Sequence, residues 1–343
     1  MIAASGTGGH LFPALAVAEQ LLDYHIEWLG VPDRLEQTLV PQQYLLNTIK
    51  VGGFQQRFGV NTLRILTLLV ASVFQVKKLL QEHQINLVLT TGGYIAGPTI
   101  LAARWQGIPV ILHESNFLPG KVTRWFSPFC HTVALGFAGS ARYLPRAHTE
   151  YVSTPVRSQF LSSQKLELTI DNDKPLIVVA GGSQGAVALN QLVREAAPTW
   201  LEMGAAIVHL TGNNDPDANS LQHPYYFAMP FYENMAGLLQ RANLAISRAG
   251  AGTLTELAIS RTPAILIPYP YAAEDHQAYN AKVFADSGGA LVFKQAELNV
   301  ELLREKVATL LRSPQQLEAM AQKASQLALK DSATRLAELI RSV

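Results

Sequence analysis

An apolar run, a loop dense in glycine and a helix built on small residues occur in that order at the start of the chain, and the same order recurs near its middle. Residues 1–4 are apolar and read as the end of a strand. Ser5-Gly6-Thr7-Gly8-Gly9-His10 follows, and residues 14–22 place small and apolar side chains at helical spacing. Residues 176–180 then form a second apolar run, Gly181-Gly182-Ser183-Gln184-Gly185-Ala186 a second loop, and residue 188 onwards a second helix. A parallel strand regains its sheet only through a crossover, usually helical, so repetition of this unit commits a chain to doubly wound parallel sheets. Two such beginnings in 343 residues predict two domains, because one core stops growing below that length.

The alternation continues between them. Strands are expected over 25–30, 45–51, 87–90, 109–113, 131–135 and 150–152, then over 206–210, 226–229, 244–246 and 264–267. Helices are expected over 34–40, 61–83, from the loop 91–98 to about Gly107, and over 316–342 with a break at Lys330-Asp331. In the long helix Leu63, Leu66, Leu69, Val70, Val73 and Val76 face inward, while Leu68 and Phe74 widen the apolar face beyond a normal stripe. The polar stretch 162–174 reads as a connector. The expected division is 1–160, joined by the C-terminal helix 331–343, against 161–330.

Charged residues make up 15% of the chain, against a usual share of about 25%, and 48% are hydrophobic. Much surface must be buried or meet lipid. A net charge of +1 supplies no field for nucleic acid, and the single cysteine, Cys130, excludes a disulfide framework or a cysteine-rich metal site. The start shows no basic n-region or cleavage site, and the apolar stretch 63–76 is interrupted by Arg64, Thr67, Ser72 and Gln75. It falls short of the ~20 apolar residues that span a bilayer. The expectation is a soluble or peripheral protein.

Glycine loops that open a helix offer main-chain N–H groups and the positive end of the helix dipole to an anion. The first loop has Leu11 where the dinucleotide fingerprint needs glycine, and no Gly-Lys-Ser/Thr follows it. In Ser247-Arg248-Ala249-Gly250-Ala251-Gly252-Thr253-Leu254-Thr255-Glu256 a carboxylate stands about one turn inside the helix. Beside a phosphate site that carboxylate needs something else to bind, and the paired hydroxyls of a ribose suit it. Residues 268–281 read as a polar loop in which Gln277 and Asn280 suit sugar hydroxyls. Asp171-Asn172-Asp173 and Asp215-Pro216-Asp217 match a metal-binding D-x-D pattern formally but read as turns. Glu27, about 20 residues past the first loop, keeps an NAD(P)-dependent oxidoreductase open as an alternative. A non-catalytic sugar-nucleotide-binding module is the other.

Gly6-Thr7-Gly8-Gly9-His10 with Pro13, Thr91-Gly92-Gly93-Tyr94 with Gly97-Pro98, His113-Glu114-Ser115-Asn116 with Pro119-Gly120, Thr154-Pro155-Val156-Arg157, Gly181 to Ala186, Ser247-Arg248-Ala249-Gly250, Glu256 and Asp275-His276-Gln277 stand in one order. That ordered set resembles the MurG family of glycosyltransferases, family 28. The resemblance covers nearly the whole chain and implies the GT-B fold, α/β with two Rossmann-like doubly wound parallel-sheet domains facing a cleft. It implies an inverting hexosyltransferase of peptidoglycan synthesis that moves N-acetylglucosamine from UDP-N-acetylglucosamine to the 4-hydroxyl of the lipid I muramyl sugar. Donor-binding residues would be Arg157, Ser183, Gln184, Gly185, Phe231, Tyr232, Ala251, Gly252, Thr253, Glu256 and Gln277. Thr7, Gly8, Gly9, Tyr94 and Asn116 would lie at the acceptor, with His10 or Glu114 as the base.

No bound cofactor and no metal are implied. The expected partners are UDP-N-acetylglucosamine, the lipid I acceptor, the cytoplasmic membrane surface and other cell-wall synthesis proteins, without nucleic acid. The expected location is peripheral, on the cytoplasmic face of the inner membrane, where Leu68 and Phe74 ringed by Arg57, Arg64, Lys77 and Lys78 would meet anionic headgroups. Two departures stand out. Ser115 occupies a position where the family commonly has glutamine, and the first strand is short, as though a few residues were missing from the start.

Overall fold

The computed structural model describes residues 1–51, 60–182 and 185–343, the side chains of 60–66 excepted. The chain forms two compact units, Met1–Arg157 with Asp331–Val343, and Ser158–Lys330. Leu63, Leu66, Arg57 and Arg64 lie outside the described residues or side chains.

The first unit contains β1 (Ile2–Ala3), α1 (Gly8–Ala18), β2 (Glu27–Gly30), α2 (Glu36–Leu39), β3 (Leu45–Thr48), α3 (Val60–Glu82), β4 (Val88–Thr90), α4 (Ala96–Trp105), β5 (Val110–Glu114), α5 (Lys121–Phe126), β6 (Thr132–Leu135) and β7 (Thr149–Tyr151). Its strands lie in the order β3-β2-β1-β4-β5-β6-β7, all parallel. Helices cover both faces, so the central strands are continuous apolar runs such as Val110, Ile111 and Leu112, each at most 1% exposed.

The second unit contains β8 (Leu176–Ala180), α6 (Val187–Glu202), β9 (Ala206–Leu210), β10 (Tyr226–Met229), α7 (Met235–Arg241), β11 (Leu244–Ser247), α8 (Ala251–Ile259), β12 (Ala264–Leu266), α9 (His276–Ser287), β13 (Ala290–Val292), α10 (Val300–Leu311) and α11 (Pro314–Ser325). Its order, β10-β9-β8-β11-β12-β13, repeats that of the first sheet. α12 (Ser332–Arg341) then returns to the first unit, where Leu336, Ala337 and Ile340 join Leu11, Ala14, Val17 and Trp28 in one buried cluster. Arg341 bonds Asp23 at 2.7 Å, and the Ser332 hydroxyl donates to the Thr154 carbonyl at 3.3 Å.

Several expectations change. α1 begins at Gly8 rather than near residue 14, so Gly8, Gly9 and His10 form its first turn and only Ser5, Gly6 and Thr7 are loop. The small residues that suggested a loop also fit a helix start packed closely on a strand end. Val70 faces out, 54% exposed, while Val73 and Val76 are buried. α9 opens at His276 inside the stretch expected to be loop, and Asn280 is fully buried, donating from Nδ2 to the Ala249 carbonyl at 3.3 Å. Asn280 is therefore a support for the loop and not a sugar ligand.

Two buried polar clusters hold the glycine loops. Glu36, 0% exposed, accepts from the Ser5 hydroxyl at 2.6 Å, the Val31 N–H at 2.7 Å and the Gly6 N–H at 3.2 Å. A Cβ on Gly30 would stand 2.7 Å from the Glu36 Cγ, so that position must lack one. In the second unit Asp215 accepts from Arg194 at 2.6 and 3.2 Å and from Asn190 at 2.7 Å, and Asn190 also donates to the Thr211 carbonyl at 2.8 Å. Both Asn190 amide hydrogens are thus used, so its oxygen accepts from His209 Nε2–H at 3.1 Å, and His209 Nδ1 accepts from the Tyr226 hydroxyl at 2.7 Å. The Asp215-Pro216-Asp217 pattern is accordingly a structural ion pair and turn.

Removal of the Glu36 carboxylate strands three donors, so Glu36→Ala should lose about 3 kcal/mol of stability in urea unfolding of the full chain. Burial, then the Arg194 charge, pushes His209 from 6.5 down to about 4. Below pH 6.5 the unfolded chain takes up a proton that the folded chain refuses, so stability falls as pH drops from about 6.5 to about 4. That loss amounts to about 3 kcal/mol. Urea midpoints at pH 7 and pH 4.5 should separate more in the wild type than in His209→Gln.

Candidate functional site

In each sheet the strand order reverses once, between β1 and β4 in the first unit and between β8 and β11 in the second. At such a reversal the crossovers leave in opposite directions and a crevice opens at the carboxyl ends of the strands, where doubly wound proteins bind ligands.

In the first unit the loop after β1 meets the loop after β4. His10, in the first turn of α1, places Nδ1 2.6 Å from the Thr91 carbonyl oxygen. That oxygen can only accept, so Nδ1 carries the proton and the neutral ring keeps its lone pair on Nε2. A Cβ on Gly93 would stand 3.7 Å from Nε2, and Gly93 has φ of +75°, so glycine keeps this edge of the imidazole open. Thr7, Gly9 and Tyr94 are exposed near these loops, while Gly8 is buried against Phe12.

Glu114 ends β5, next to β4. Its Oε1 accepts from the N–H and the Nδ2 of Asn116 at 3.0 and 3.1 Å, and its Oε2 from the Gly120 N–H at 3.0 Å and the Thr123 hydroxyl at 2.6 Å. Four donors fill the carboxylate, which folds the 115–120 segment around itself. His113, fully buried, faces the Ser153 carbonyl with Nε2 at 3.0 Å, so Nδ1 accepts from the Ser115 hydroxyl at 3.3 Å. Burial pushes His113 below its usual range and keeps it neutral. Ser115 is therefore turned inward, at 7% exposure. Arg157 lies in this unit, its guanidinium 4.5 Å above the Phe12 ring and two residues along α1 from His10.

In the second unit the loops after β8, β11 and β12 converge. Ser183 and Gln184 lie outside the described residues. Gly185, at φ +74°, packs so tightly that a Cβ would stand 2.5 Å from the Thr211 oxygen, and the Gly212 N–H reaches the Pro230 carbonyl at 3.1 Å. This chain of contacts links the glycine loop to Phe231, 57% exposed, and to Tyr232, whose buried hydroxyl has no partner among the described residues. Gly250 caps α8 without a side-chain bond, so the first-turn N–H groups of Ala251, Gly252 and Thr253 stay available to an anion, and a Cβ on Gly252 would meet open space. Glu256 follows on α8, half-buried. Gln277 Oε1 accepts from the Ala249 N–H at 3.2 Å and the Tyr269 N–H at 2.9 Å, which ties the loops after β11 and β12 together and leaves its amide N–H groups to donate.

The oxidoreductase alternative loses its support. Glu27 starts β2, at the amino end of the strand and away from the crevice, and it is consumed there by His83 at 2.7 Å and Asn47 at 3.1 Å. Sequence reasoning passed over Glu36 and Asn190. A carboxylate that opens a four-residue helix and an amide on a helix face carry little local signal, because the glycine-loop partners they hold, Gly6 and Thr211, lie 30 and 21 residues away.

Residues 1–135 match the glycosyltransferase family 28 N-terminal domain, and residues 176–336 match the family's C-terminal domain. A protein of Gloeothece citriformis named UDP-N-acetylglucosamine--N-acetylmuramyl-(pentapeptide) pyrophosphoryl-undecaprenol N-acetylglucosamine transferase is 68% identical over 342 residues, covering 100% of this chain and 95% of that protein. A relative of the same name in Nostoc sp. is 62% identical, over 100% of this chain and 97% of its own. The crystal structure of Acinetobacter baumannii MurG superposes with a TM-score of 0.80 at 33% identity, over 100% of this chain and 99% of the other. UDP-GlcNAc 2-epimerase from Neisseria meningitidis, at 14% identity and a TM-score of 0.70, shares the fold alone. With both domain models matched in order and a relative two-thirds identical along its full length, the chain belongs to glycosyltransferase family 28.

Proposed function

We propose that this chain is an inverting N-acetylglucosaminyltransferase that uses UDP-N-acetylglucosamine as donor and the lipid-linked muramyl sugar of lipid I as acceptor, forming lipid II. The observation that carries this reading is the 68% identity that runs through both units to a transferase of that name.

The first unit takes the acceptor and the second the donor. His10 Nε2 removes the proton from the muramyl 4-hydroxyl while that oxygen attacks the anomeric carbon, and the bond to UDP breaks on the opposite face. The Thr91 carbonyl holds the imidazole in the tautomer this requires and favours the imidazolium that forms. Glu114, with four donors already on it, orients Asn116 and the segment around it toward the acceptor rather than taking the proton. Thr7, Gly8, Gly9 and Tyr94 border the same loops.

The departing diphosphate is met by the first-turn main-chain N–H groups of α8, from Ala251, Gly252 and Thr253, and the glycine loop with Ser183, Gln184 and Gly185 is assigned to the same donor. Glu256 accepts from the ribose hydroxyls and Gln277 donates to the sugar, while the Phe231-Tyr232 segment serves the nucleoside side; Arg157, expected among the donor residues, belongs to the first unit. No step in this scheme calls for a metal ion.

Lipid-linked acceptor requires work at a membrane surface, and no helix among the described residues is long and apolar enough to cross one. α3 and α4 instead expose Val70, Phe74 and Trp105 at 54%, 54% and 56%, and the Lys77 ammonium lies 3.9 Å over the Trp105 ring. Trp125 and Phe129 add exposed aromatic surface on the neighbouring α5 and the turn after it. We assign this face to the cytoplasmic leaflet, with Lys77 and Lys78 at the headgroups.

With radiolabelled donor and saturating acceptor, His10→Ala should lower kcat by about 10²–10⁴-fold and leave UDP affinity unchanged; near-normal turnover would remove His10 as the base. The paired change Phe74→Glu and Trp105→Glu should abolish sedimentation with anionic vesicles at low salt and spare transfer to a water-soluble acceptor analogue. Undiminished sedimentation would move the membrane face elsewhere.

A further inference from the structure

Arg248 follows the last residue of β11 and precedes the Ala249-Gly250 turn into α8. Its side chain is 7% exposed. Nη1 donates to the carbonyls of Ile267 and Pro268 at 3.1 and 3.3 Å, and Nη2 donates to Gln295 Oε1 at 2.7 Å. The buried Nε has no partner, and among the described residues no carboxylate pairs with the guanidinium. Tyr269 covers it at 5.6 Å from the ring centroid.

This arrangement differs from that of Arg194, the other arginine buried among the described residues, which has Asp215 as counter-ion. A cation out of water and held only by neutral oxygens is expensive, and a neutral side chain of similar volume would bridge the same loops with less penalty. Burial indeed depresses Arg248 from its usual value. An anion bound close by would supply the missing counter-charge. The location of Arg248 says which anion. The Arg248 N–H donates to the Ala180 carbonyl at the end of β8 at 3.3 Å, so its backbone stands at the reversal of the sheet, directly before the turn that opens α8, while its guanidinium reaches the carbonyls that follow β12.

We infer that Arg248 is the built-in counter-charge for the diphosphate of the nucleotide donor, acting through the turn that opens α8 without touching the phosphates. The inference rests on the donor reading given above. Its field favours the diphosphate on binding and more so as negative charge builds on the leaving oxygen. The same side chain fixes the strand ends of β11 and β12 together, which makes it a positioning residue as well as a source of potential.

The test compares competition constants of UDP and uridine against UDP-N-acetylglucosamine for full-length Arg248→Gln, Arg248→Met and Arg248→Lys, with thermal midpoints as a check on folding. The neutral variants should bind UDP about tenfold more weakly, as expected for one unit charge acting over a few residue widths at an intermediate dielectric. They should bind uridine as the wild type does, and Arg248→Lys should restore UDP affinity to within about twofold on the same ground. If UDP and uridine weaken together, Arg248 is structural and the inference is overturned, as it is if UDP affinity is unchanged in whichever neutral variant folds. Absence of UDP binding by the unmodified chain would sink the donor reading itself, an outcome distinct from either.

Discussion

Both units depend on one topological constraint: a parallel sheet whose strand order reverses must send the crossovers of its central pair of strands in opposite directions. Several of the groups assigned to chemistry stand on those loops. His10 and Thr91 belong to the pair β1 and β4, and Gly185, Gly252 and Glu256 to the pair β8 and β11. Helices on both faces close the sheets, so the carboxyl ends of the strands are where backbone donors remain unspent.

A crevice made of glycine loops is soft unless something beneath it is rigid. Here the rigid parts are buried charges with few choices of partner. Glu36 draws the Ser5 and Gly6 loop down, Glu114 gathers Asn116 and Gly120, and Asp215 holds Asn190 and through it Thr211 under Gly185. Each spends a carboxylate on backbone, hydroxyl, amide or guanidinium donors in a low-dielectric setting, where an unmet partner is severe and geometry is narrow. The Glu36 carboxylate also takes the Gly6 N–H, a donor that dinucleotide folds offer to a phosphate.

Much of the fold was legible because periodicity and glycine spacing are local. Strands such as Leu176–Ala180 and Ala206–Leu210 stand where apolar runs put them, and the break before α12 falls at a polar pair. Helix starts were less legible. α1 begins inside its glycines, and α9 inside a stretch rich in amide and carboxylate groups, because packing on strand ends outweighs propensity. Of the site, His10, Glu256 and Gln277 carry a signal in their own neighbourhoods. Glu36, Asn190 and the Arg248 environment do not, since each takes its meaning from partners in other elements and loops.

The return of α12 to the first unit has a consequence for synthesis on the ribosome. Residues 158–330 hold their own sheet and core, so that part can complete itself as soon as it clears the exit tunnel. The amino-terminal part cannot. Its cluster around Leu11, Val17 and Trp28 waits for Leu336 and Ile340, so the half of the chain made first finishes folding last.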